Sequence, residues 1–70
     1  MYSWEIQAII DANNGVIKSR ELLLSIIDRK ENPQLQRIRY NPANNTYEIT
    51  DNEGTLMKFE VSIDRDDNER

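Results

Sequence analysis

The sequence predicts an α+β fold: two N-terminal helices, about 4–13 and 20–30, packed on one face of a three-stranded antiparallel meander, about 36–40, 46–50 and 55–63. Three observations carry this. Apolar residues recur at helical spacing as far as Ile27 and at strand spacing from Ile38 onward. Asp51-Asn52-Glu53-Gly54 places glycine where a three-residue hairpin loop needs a left-handed residue. The two C-terminal turns, read independently, then agree on one register. Closing the second with Asp51 opposite Thr55 sets Ile49 against Met57, Tyr47 against Phe59 and Glu48 against Lys58. Closing Asn41–Asn45 with Tyr40 opposite Tyr47 sets Ile38 against Ile49 and Arg39 against Glu48. One face becomes apolar, and the other carries an Arg39–Glu48–Lys58 row, as cross-strand pairing favours.

In helix one, Ser3 reads as the N-cap and Glu5 suits the positive end of the helix dipole. Ile6, Ile9 and Ile10 form its apolar stripe, and Asn14-Gly15 supplies a left-handed stop. Ala8 and Ala12 on its flank would let another backbone approach closely, with Trp4 on the same side one turn earlier. Val16-Ile17-Lys18 is expected to be an extended connector, at most a single β-bridge. Ser19 caps helix two, whose Leu22, Leu23, Leu24, Ile26 and Ile27 sweep an arc of roughly 200°. That is wider than one packing surface requires. Helix two is therefore wedged between helix one and the sheet, or it leaves a Leu24 edge for another subunit. Asn32-Pro33 ends it, because proline lacks a donor and disfavours a helical residue before it.

The last strand has the clearest alternation: Met57, Phe59, Val61 and Ile63 against Lys58, Glu60 and Ser62. Residues 64–70 are highly charged and lack an apolar anchor, so a disordered tail is expected after a single domain over 1–63. An alternative reading lets Asn32 cap and Pro33 open a third helix through Tyr40, with Leu35 and Ile38 three apart. The element order would then be that of a winged helix-turn-helix. The alternation of Arg37 and Arg39 with Ile38 and Tyr40 favours the strand.

Seventy residues bury only roughly 60% of the surface that the unfolded chain exposes, so such a domain is marginal. The chain has no cysteine, which excludes disulfides, thiolate metal sites and thiol redox chemistry. It also has no histidine, so a Ser or Cys nucleophile with a His base is excluded. Neither a membrane-length apolar run nor a signal peptide is legible, and a cytoplasmic protein is expected. The sequon Asn44-Asn45-Thr46 therefore carries no weight, and the chain reads as a complete small frame beginning at Met1.

The net charge of −4 is unevenly placed. Residues 16–40 hold six basic and three acidic side chains, whereas residues 41–70 hold three basic and eight acidic ones. Overall acidity disfavours non-specific contact with nucleic acid or anionic membrane. Lys18, Arg20, Arg37 and Arg39 form the one nucleic-acid footprint the residues offer. In the winged reading, Gln34, Gln36, Arg37 and Arg39 would lie on a recognition helix.

Glu48 and Glu60 fall on an exposed sheet face, where carboxylates stay solvated, so acid–base catalysis is not expected. Gly15 and Gly54 each serve a turn, leaving none for a phosphate loop. Asp64, Asp66, Asp67 and Glu69 lack the turning glycine of a calcium loop. No cofactor, metal or small-molecule site is expected.

Tyr2, Trp4 and Leu24 are the apolar residues that fit the core least well; the plainer expectation is that they complete it, and the sharper one makes them a candidate interface with another protein or a second copy. No activity is legible. The expected role is a non-catalytic protein-binding or regulatory module, of a kind that suits accessory genes of phages or mobile elements. A winged-helix DNA-binding regulator is the first alternative. An acidic nucleic-acid mimic is the second, and it would need Glu48, Asp51, Glu53 and Glu60 in one patch. An enzyme ranks last.

Overall fold

The computed structural model describes residues 1–63. The expected tail at 64–70, with its acidic residues, lies outside the described residues. The elements run α1 (Ser3–Ala12), β1 (Val16–Ile17), α2 (Arg20–Ile27), β2 (Leu35–Asn41), β3 (Thr46–Asp51) and β4 (Leu56–Val61). The class is α+β, but the three-stranded antiparallel meander is wrong. The sheet has four strands in the order β1-β4-β3-β2, and it is mixed.

The expected connector is the fourth strand. β1 lies parallel to β4, with Val16 opposite Glu60 and Ile17 opposite Val61. The amides of Glu60 and Ser62 donate to the carbonyls of Gly15 and Ile17 at 2.8 and 2.9 Å. Those amides would otherwise be unpaired on an open edge. β4 is thereby an interior strand, and Ile17 is fully buried.

The two turns close as their residues dictate. β3 and β4 pair with Tyr47 opposite Phe59, Glu48 opposite Lys58 and Ile49 opposite Met57. β2 and β3 pair with Ile38 opposite Ile49, Arg39 opposite Glu48 and Tyr40 opposite Tyr47. Gly54 at φ +85° and Asn45 at φ +56° take the left-handed positions. The register shifts between Leu35 and Arg37, so Gln36 is the extra residue of a β-bulge. Strict alternation from Ile38 would turn Gln36 inward. The bulge turns Leu35 inward instead, where it is buried opposite Asp51. A strand over Leu35–Asn41 also overturns the winged helix-turn-helix alternative, which requires a helix there.

Both helices supply the same core. Ile6 and Ile10 of α1 and Leu23 and Ile26 of α2 cluster with Ile17, Leu35, Ile49, Met57 and Phe59. Tyr47 bridges Tyr40 and Phe59 on this face, with ring centroids 4.8 and 5.5 Å apart.

The helix ends depart from expectation in two places. Ser3 is the first helical residue, and the N-cap is Tyr2. Glu5 reaches back to the Tyr2 amide at 2.8 Å, while the Ser3 hydroxyl accepts from Gln34. α2 stops at Ile27, short of the expected 30. The cause is Asn32, whose side-chain amide donates to the carbonyls of Ser25 and Ile26 at 2.7 and 2.8 Å. It takes two of the four carbonyls that the helix end leaves free, and an Asp28 turn onto the Lys30 amide follows.

The other two caps follow the residues. Ser19 Oγ accepts from the Leu22 amide. Asn14 and Gly15, both at positive φ, return their amides to the carbonyls of Asp11 and Ile10, closing α1 with two bonds.

Candidate functional site

α1 has two working faces. Ile6, Ile9 and Ile10 face the core, while Trp4, Gln7, Ala8 and Asp11 recur at i, i+3, i+4 and i+7 along another side. This second stripe lines an open groove of ≈ 940 Å³. Pro33 and Gln34, which precede β2, and Asp51 to Glu53 with Thr55, the β3–β4 turn, complete its walls.

Several contacts hold this geometry. Gln34 Nε2 donates to the Met1 carbonyl at 2.9 Å and to Ser3 Oγ at 3.3 Å, tying the start of α1 to the approach to β2. The Met1 amino group donates to the Glu31 carbonyl at 2.9 Å. Gln7 Nε2 donates to Asp11 Oδ1 at 3.0 Å and fixes that carboxylate on the helix face.

The turn is stiffened by Asp51, a buried carboxylate on the inner side of the sheet. Its Oδ1 accepts from the amides of Glu53 at 2.9 Å and Thr55 at 2.8 Å. The Thr55 amide is the chief cause that holds its pKa below the ordinary carboxylate range, against the opposing effect of burial; Ser3 and Glu53 also lower it.

Among the expected interface residues, the structure brings Tyr2 and Trp4 together on the groove, each 70% exposed. Leu24 is also exposed, at 53%, but lies on α2 and is not part of the groove. The expected core-completing role of Tyr2 and Trp4 is therefore not what the fold gives them. The groove's polar wall was not found from the sequence. Asp11, Gln34 and Glu53 are far apart in the chain and belong to three elements. The only sequence signal was Trp4 and Ala8 sharing one side of α1.

The four basic residues do not converge. Lys18 follows β1 and Arg20 opens α2, whereas Arg37 and Arg39 are on β2 at the opposite edge of the sheet. Three strand spacings separate those edges, roughly 14 Å. Of the expected Arg39–Glu48–Lys58 row, one ion pair closes: Lys58 Nζ lies 3.7 Å from Glu48 Oε2. The four carboxylates of the mimic reading do not form one patch, although Glu48 and Glu60 are diagonal neighbours across β3 and β4. Asp51 turns inward, Glu48 is paired with Lys58, and Glu60 lies at the far end of β4.

Among the described residues, no group of three or more His, Cys, Asp or Glu is placed to hold a metal ion. No helix among them is long and apolar enough to cross a membrane. No protein-family model matches the chain, and neither the curated proteins nor the solved structures give a significant match.

Proposed function

We propose that this protein is a non-catalytic binding module of the cytosol, and that the groove between α1 and the β3–β4 turn receives a segment of another protein. The observation that carries this reading is the paired exposure of Tyr2 and Trp4 on a concave surface. Large aromatic side chains left in water forgo burial worth roughly 25 cal/mol per Å². Two such side chains side by side on a concave surface suit a contact that a partner would cover, and Tyr and Trp are the residues that interfaces favour. The small Ala8 beside Trp4 leaves space for a backbone to lie against the helix.

The reading is tested by affinity capture from source cells with the native chain, Trp4→Ala and Leu24→Ala, each checked for folding by circular dichroism. The expected result is a partner held by the native chain and by Leu24→Ala, but lost with Trp4→Ala. A partner retained equally by folded Trp4→Ala would contradict the proposal.

A further inference from the structure

The groove is acidic as well as aromatic. Asp11, Asp51 and Glu53 line it, and among the described residues no lysine or arginine does. Asp51 spends its Oδ1 on the turn amides, so its charge contributes to the field of the groove rather than to direct contact. Asp11 and Glu53 are exposed, and they stand on different walls: one on the last turn of α1, the other at the tip of the β3–β4 turn. The Gln7 bond to Asp11 Oδ1 leaves the second oxygen of that carboxylate without a partner among the described residues. Trp4 lies on the same stripe of α1, two turns before Asp11, and presents an open indole face.

We infer that the occupant of this groove is a protein segment bearing arginines, with one guanidinium stacked on Trp4 and the N–H groups of another donating to Asp11 or Glu53. This inference rests on the groove being the contact surface. Charge complementarity selects a cation. The combination of an indole face with carboxylates selects arginine, because a guanidinium is planar, stacks on aromatic rings and can bond a carboxylate through two parallel N–H groups. A lysine ammonium is a strongly hydrated point charge and uses the stacking surface less well.

The test is a titration of the protein with a blocked glycine–serine peptide carrying two arginines, and with counterparts carrying citrulline or lysine instead. Trp4 emission and backbone amide shifts are read together. The arginine peptide is expected to shift the amides of α1 and of the 52–55 turn. Citrulline should weaken binding about tenfold and lysine about threefold. The double variant Asp11→Asn, Glu53→Gln, which alters only exposed groups, should weaken the arginine peptide about tenfold and remove most of its salt dependence.

Equal binding of the citrulline peptide, or no shift at millimolar arginine peptide, would overturn the arginine assignment while leaving the groove to be judged by Trp4→Ala capture. Equal binding of the lysine peptide would overturn the stacking. Shifts confined to residues outside the groove would overturn both readings. A groove-blocked dimer, seen by sedimentation and dispersed by Glu53→Gln, would assign the occupant to a second copy and contradict the inference.

Discussion

Two side chains carry more of this structure than their types suggest. Asn32 is fully buried, and its amide satisfies two carbonyls at the end of α2 while its Oδ1 has no hydrogen-bond partner among the described residues. Replacing it with alanine strands those carbonyls but removes the orphan oxygen, so the net loss should be about 2 kcal/mol, read from urea unfolding. A loss within error would mean that water replaces the amide and the cap is dispensable. Asp51 makes the fold sensitive to acid. Its folded pKa lies below the unfolded value of about 3.9, so its contribution is complete above that pH and is lost as pH falls through the folded pKa. Asp51→Asn should be less stable than the native chain at neutral pH, and the difference should shrink as the pH is lowered below about 4. Parallel stability curves for the two proteins would contradict this. Both residues were legible only in part. Asn32 reads as a helix stop and Asp51 as a turn residue, because local sequence shows the backbone conformation each favours but not the distant groups each satisfies.

At the scale of elements, legibility follows the length of the pattern. α1, α2 and the two hairpins show periodicity over many residues, and each hairpin carries a turn whose chemistry fixes its register. β1 has two residues, too few to show a period, and its partner is more than forty residues away. Nothing local distinguishes Val16-Ile17 from a connector, and that missing strand is what made the sheet look like a meander. The bulge at Gln36 was hidden for a similar reason: it is visible only once the partner strand puts Leu35 opposite Asp51. The corrected sheet makes its own prediction. Hydrogen exchange should find the Glu60 and Ser62 amides protected, since β1 covers that edge of β4. Rapid exchange at both would restore the three-stranded sheet. Ile17→Ala should cost about 2–4 kcal/mol and release those two amides before the β3–β4 pairs.

At the scale of the whole molecule, the fold separates its charges and its aromatics. Lys18 lies beside one edge strand of the sheet and Arg37 and Arg39 lie on the other, while Tyr40, Tyr47 and Phe59 form a ladder on the helix-covered face. Tyr2 and Trp4 are left outside, beside the acidic wall formed by α1 and the β3–β4 turn. The candidate site was half legible: its aromatics stood out as poor core residues, but its walls exist only after folding brings three separated segments together. Recognition through this groove requires Trp4 to stand open in the free protein. As the only tryptophan, it reports directly through its fluorescence. With no partner present, its emission should match that of tryptophan in water and be readily quenched by acrylamide. Blue-shifted emission shielded from acrylamide in the dilute, folded chain would contradict recognition through the groove.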